Sequence, residues 1–267
     1  MSDMLERCGY SLSCWLTRPR PWHQAEVRIE HDVMASLQPG DVLLVEGSSR
    51  LSTVVKYLTQ STWSHAALFV GSTACPKRGG ATRGECFIEA DLAEGVRMVG
   101  FEEFEGYPLR ICRPVGLNRD EVERLVASVC GRVGQRYDLR NILDLARYLL
   151  PLPPVPAPWR RRMLSLGSGD PTRAICSTLI AQAFQSVNYP ILPIAEWQDD
   201  TRRCHGCRHR VLQRRHYSLF TPRDFDLSPY FEIVKPVLVN GFDHRRLIWR
   251  ETTVTCRKHD WSARRAN

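Results

Sequence analysis

One segment constrains the fold of this chain more than any other. RAICSTLIAQAFQSVNY, residues 173–189, places Leu179, Ile180, Ala183, Phe184 and Val187 on one stripe of a helix. A stripe that apolar has to be covered by another layer. The covering material is legible upstream as short apolar runs bounded by turn residues. Pro39-Gly40 precedes a strand over Val42–Val45, and SHAALFVGS is a second strand with His65 at its start and Gly71 closing it. ECFIEADLAEGVRMVGF gives two short strands around a turn near Glu94-Gly95, and PLRICRPV gives another, stopped by Pro114. A final strand is expected over Phe231–Val234. Between them, Leu51, Val54, Val55 and Leu58 fit a short helix. Val122, Leu125, Val126 and Val129 fit another over Asp120–Val133, with Asn118 as N-cap and acidic residues in its first turn. Strands and helices in these proportions indicate an α+β chain.

Other stretches resist regular structure. Residues 1–30 show aromatic anchors, Trp15 and Trp22, without a clean period, and read as an irregular leader. PLPPVPAPW has five prolines in nine residues, which excludes helix and ladder. The folded-domain candidate is therefore 31–239, with insertions near 140–170 and 198–216, and 240–267 reads as a basic C-terminal extension. With 43% apolar and 25% charged residues, the composition is that of a globular protein rather than a disordered one. No apolar run approaches the roughly 18 residues of a membrane span. The N-terminal stretch carries Asp3 and Glu6 and lacks an apolar h-region, so a reducing, cytoplasmic setting is expected, in which a reactive thiol survives.

Cys176 falls in the first turn of the clearest helix, where unpaired backbone N–H groups and the helix dipole favour a thiolate. Taken alone, such a cysteine reads first as a core residue. His65, at a strand mouth after Trp63-Ser64, is placed to reach into a cleft and to act as a base. Glu89 lies among apolar residues of a strand, and a carboxylate there needs a partner. Either an imidazolium or one of the many arginines fits that need.

The ordered set LQPGDVLLVEG, WSHAALFVG, FIEADLAEGVR, Tyr137-Asp138, ICSTLIAQAF and FTPRDFDLSPYFE resembles the permuted papain-like group of the NlpC/P60 superfamily, and within it the YiiX/YaeF-like amidase branch. The likeness runs over roughly residues 36–235, with a long interruption at 140–170. It implies a circularly permuted papain-like fold, in which an antiparallel sheet packs against the helix bearing the cysteine and the histidine strand precedes that helix. It implies a cysteine hydrolase or acyltransferase acting on an amide or ester carbonyl, with Cys176 as nucleophile, His65 as general base and Glu89 as orienting acid. Tyr137 matches a position where such enzymes place a tyrosine near the site, to bind the oxyanion or simply to pack, and Asp138 holds that loop or takes a direct part. No cofactor is called for.

The partners expected are an acyl-bearing small molecule, a lipid or a peptide. Segment 142–166, ILDLARYLLPLPPVPAPWRRRML extended by two residues, joins aliphatic side chains, Trp159 and three arginines. It suits a lipid–water boundary, a lid over an acyl pocket, or a plain insertion. Residues 1–200 hold 22 basic and 23 acidic side chains, whereas 201–267 hold 15 and 6, so the net charge of +8 resides in the C-terminal part. Peripheral contact with an anionic membrane through 142–166 and that basic part follows as an expectation. Cys204, Cys207, His209 and His216 have the chemistry of a zinc site but lack a second pair at tetrahedral-site spacing, so they read first as a polar insertion and no metal is called for. The arginines around them lack the aromatic platforms or reading helix that nucleic-acid binding would add, which disfavours nucleic acid as the partner.

Overall fold

The computed structural model describes residues 10–11, 14–19, 30–71, 87–135, 175–199, 208–239 and 243–246. Strand β1 (Val42–Val45) is buried along its whole length, so it needs cover on both faces. It lies inside a six-stranded sheet with β2 (His65–Phe69), β3 (Phe87–Asp91), β4 (Gly95–Val99), β5 (Leu109–Pro114) and β8 (Phe231–Val234). The strand order is β4-β3-β2-β1-β5-β8 and every neighbouring pair is antiparallel. The chain is thus α+β, with an antiparallel sheet.

Period-two alternation divides the sheet residues between two apolar clusters. Val42, Leu44, Ala66, Leu68, Ile88 and Ala90 join the cluster that holds helices α3 (Arg119–Cys130) and α4 (Ile175–Ser186), through Leu125, Val129, Leu179, Ile180 and Phe184. Leu43, Val45, Ala67, Phe69 and Phe87 join the other, with Val33 of α1 (Glu30–Ser36) and Phe104. Helix α4 packs on β2, on β3 and on α3. Phe184 meets Phe231 edge-on at 5.2 Å and Phe225 at 6.3 Å. Tyr189, just past the helix, donates its hydroxyl to the carbonyls of Val115 at 2.9 Å and Tyr230 at 2.5 Å. The C-terminal end of α4 is therefore tied to the β5–β8 side of the sheet, which fixes where its N-terminus falls.

Local signals account for the ends of the elements. Helix α2 (Arg50–Thr59) is capped by Ser49, and α3 begins with a reciprocal capping box between Asn118 and Glu121. Gly40 has φ 96°, in the left-handed region that favours glycine, and turns the chain into β1. Asp41 follows, 1% exposed, and both its oxygens accept from Arg113, at 2.9 and 2.7 Å.

Three features differ from the sequence reading. Residues 14–17 of the expected irregular leader are helical, Leu16 is fully buried, and Trp15 lies under the Arg50 guanidinium at 4.2 Å. Glu30–Ser36 is helical without having given a periodic signal. The expected insertion near 198–216 contains an antiparallel ribbon of β6 (Ile194–Asp199) and β7 (Arg208–Gln213). Its charged strands gave no signal, and none of its residues with described burial is buried, so burial does not impose apolar alternation on them. The remaining short helices are α5 (Pro222–Leu227) and α6 (Pro236–Val239), and α6 packs against α1.

Removing one partner of a buried ion pair strands the other. Asp41→Ala is expected to lower unfolding stability by about 3 kcal/mol in urea melts, with Arg113 left uncompensated. A loss within experimental error would show that the pair is not needed for the β1 entry.

Candidate active site

The ladder between β2 and β3 is short, with Leu68 opposite Ile88 and Phe69 opposite Phe87. Toward His65 the two strands no longer pair, and the N-terminal turn of α4 meets them there. Alternation along β2 turns the Ala66 N–H away from β1 and toward this opening, where it donates to the Cys176 sulfur. Cys176 is the second residue of α4 and is 5% exposed. The Ser177 hydroxyl stands 3.9 Å from the same sulfur.

His65 opens β2 and retains 27% side-chain exposure. Its Nε2 lies 2.7 Å from Glu89 Oε2. With Nε2 so engaged, Nδ1 is the ring nitrogen left for Cys176, to which His65 is hydrogen-bonded. Glu89 is 4% exposed in side chain, and its other oxygen, Oε1, accepts from Arg97 Nε at 2.8 Å and Nη2 at 2.7 Å. Arg97 is directly opposite Glu89 in the β3–β4 register and also reaches Glu94 at 3.1 Å and Glu103 at 2.7 Å. The two partners foreseen for Glu89, an imidazolium and an arginine, are both present, one on each oxygen.

The charges reinforce one another along this line. Burial works against the imidazolium, but the thiolate charge of Cys176 and the Glu89 carboxylate outweigh it and hold His65 well above the ordinary histidine range. Burial likewise opposes the Cys176 thiolate, and the His65 charge and hydrogen bond, with the Ala66 N–H, bring the thiol below its usual value. Glu89 is held below the ordinary carboxylate range, its burial overcome by His65 and Arg97. The His65 and Cys176 shifts both act toward a thiolate–imidazolium pair. Cys112, by contrast, is pushed upward by burial and stays a thiol.

Residues leading into His65 are pinned. The Ser64 hydroxyl accepts from the Gly47 N–H at 2.9 Å. Trp63 is buried, its indole donates to Asp226 at 3.1 Å, and Arg110 both pairs with Asp226 at 2.5 Å and lies 4.8 Å over the indole. Neither Arg97 nor this Trp63–Asp226–Arg110 set was singled out in the sequence. Arg97 is set across from Glu89 by the observed register, with Asp91 opposite Gly95, and the turn expected near Glu94-Gly95 would have put Gly100 there instead; the Asp226 contact spans 163 positions and left no local signal.

Tyr137, Asp138, segment 142–166, Cys204 and Cys207 lie outside the described residues. His209 falls on β7 opposite Gln198. His216 has a local role: its Nδ1 bonds the Ser218 hydroxyl at 2.8 Å and its ring lies 4.0 Å from that of Tyr217. Among the described residues no three His, Cys, Asp or Glu side chains converge as a metal site, and no helix is long and apolar enough to cross a membrane.

A lowered thiol leaves thiolate present at pH values where an ordinary cysteine is protonated. Alkylation of Cys176 by iodoacetamide, followed by peptide mass spectrometry, is expected to persist to lower pH than that of an ordinary cysteine. In His65→Ala its inflection should move upward toward that of a free cysteine. An unchanged inflection would remove His65 as the source of the activation.

No family model matches the chain, and no curated protein matches it. Among solved structures it is similar to the crystal structure of metalloprotein YiiX from Escherichia coli, at 15% identity and TM-score 0.42, over 74% of this chain and 96% of that one.

Proposed function

We propose that the chain is a thiol hydrolase or acyltransferase that attacks an amide or ester carbonyl through a thioester on Cys176. The observation that carries this reading is the unbroken line Cys176–His65–Glu89, in which a buried sulfur, an imidazole and a buried carboxylate are hydrogen-bonded in sequence. A core cysteine needs no imidazole, and a salt-bridged glutamate already satisfied by arginine needs no histidine. The His65 strand precedes the Cys176 helix, as in the permuted papain-like NlpC/P60 arrangement, and the antiparallel sheet against α4 is compatible with it.

In this reading the Cys176 thiolate attacks the carbonyl carbon, and the carbonyl oxygen becomes an oxyanion. The backbone N–H groups at the start of α4 would hold the developing charge. The His65 imidazolium gives its proton to the leaving nitrogen or oxygen as the carbon–heteroatom bond breaks, which leaves a thioester and a neutral imidazole. Glu89 stays ionised throughout and holds the ring by Nε2. Water, or an acceptor amine or alcohol, then adds to the thioester as His65 takes its proton. Collapse expels the Cys176 thiolate and restores the ion pair. The substrate class proposed is a lipid or other N- or O-acylated molecule, on the strength of the aliphatic, Trp- and Arg-containing run 142–166.

An activated acyl probe is expected to label the wild-type chain at Cys176 with loss of its leaving group. Cys176→Ala should abolish labelling, and His65→Ala should slow it by at least about 100-fold, the usual scale of a positioned acid–base group. Labelling that survives Cys176→Ala at the wild-type rate would overturn the proposal.

A further inference from the structure

We propose that Arg97 is the positioning residue of this site, fixing which oxygen of Glu89 meets His65 and keeping that carboxylate charged. The inference rests on the Cys176–His65–Glu89 reading and extends it by one shell.

A buried carboxylate facing a single imidazole has two poor options: to rotate and offer either oxygen, or to take a proton and lose its hold on the ring. Arg97 closes off both. Its Nε and Nη2 converge on Oε1, at 2.8 and 2.7 Å, so the carboxylate cannot turn without breaking both contacts. Oε2 is left to His65 Nε2, at 2.7 Å. That assignment turns Nδ1 toward Cys176. The guanidinium is itself restrained by acids on its far side, Glu94 at the β3–β4 turn and Glu103 on the 3-10 turn Phe101–Glu103. Charges therefore alternate from the sulfur outward: thiolate, imidazolium, carboxylate, guanidinium, and the half-exposed Glu103 at 47%.

Arginine suits this position because its planar fork delivers two donors to one oxygen while reaching a second acid. Lysine offers one point charge and cannot hold the same geometry. Loss of the Arg97 charge acts on the thiol in one direction whichever state Glu89 adopts. If Glu89 takes a proton, the imidazolium loses its partner and stabilises the thiolate less. If it stays ionised, the potential at the sulfur becomes more negative. Both raise the thiol.

The test is the pH profile of Cys176 alkylation by iodoacetamide in the full chain, which needs no substrate. Arg97→Met keeps the aliphatic stem and should move the inflection upward by about one pH unit, with about tenfold slower alkylation below it. Arg97→Lys should fall between wild type and Arg97→Met. Circular dichroism and thermal melting establish that each variant is folded. Should Arg97→Met not fold, Arg97→Lys decides: a partial upward shift supports the proposal, and a wild-type profile overturns it. A folded Arg97→Met with a wild-type profile also overturns it. An ordinary cysteine profile in the wild-type chain is a different failure, because it removes the Cys176–His65–Glu89 reading itself.

Discussion

A carboxylate in the middle of a buried strand has to be neutralised, and Glu89 is 4% exposed in side chain. That requirement organises its surroundings. Left unpaired, the charge would cost several kcal/mol, or Glu89 would simply take a proton. Arg97 from β4 and His65 from β2 remove that cost from opposite sides. Arg97 is level with Glu89 across β3–β4, and His65 reaches it from two residues further along β2, beyond the end of the β2–β3 ladder. Backbone pairing gives way to side-chain pairing, and the place left open is where α4 brings its cysteine.

The position of Cys176 depends on contacts far from it. Helix α4 is an apolar rod seated on β2, β3 and α3, and its distal end is fastened through Tyr189 and the Phe184–Phe231 contact to β5 and β8. Its first turn is then delivered to the Ala66 N–H with little freedom. On the histidine side, Trp63 and Ser64 are fastened to Asp226 and Gly47. Two rigid elements each present one reacting group, which is how a thiol and an imidazole are held at hydrogen-bonding range without a covalent link.

Much of this was legible in the sequence because it rests on short-range patterns. Asn118 and Pro39-Gly40 mark their elements through local backbone chemistry, and β1, β2, β3 and β8 carry apolar runs that only a buried sheet explains. Cys176, His65 and Glu89 stood out by residue type in an unexpected setting: a polar or reactive group on an apolar element. What escaped notice was relational. Arg97 is one arginine among many until the hairpin register puts it across from Glu89. Asp226 belongs to Trp63 only after the chain has closed over 163 positions. The β6–β7 ribbon escaped for a different reason: Ile194, Ala195, Glu196, Leu212 and Gln213 are exposed, so burial does not impose apolar alternation on them.

The central claim is that His65, held by Glu89, lowers the Cys176 thiol below the ordinary cysteine range. Thiolates absorb in the ultraviolet where thiols do not, so the difference spectrum between the wild-type chain and Cys176→Ala isolates this one sulfur from the other nine cysteines. Titrated from acid to alkaline pH, its thiolate step should fall below the ordinary cysteine range. A difference signal that emerges only at the pH of a free cysteine, or above it, would contradict the account.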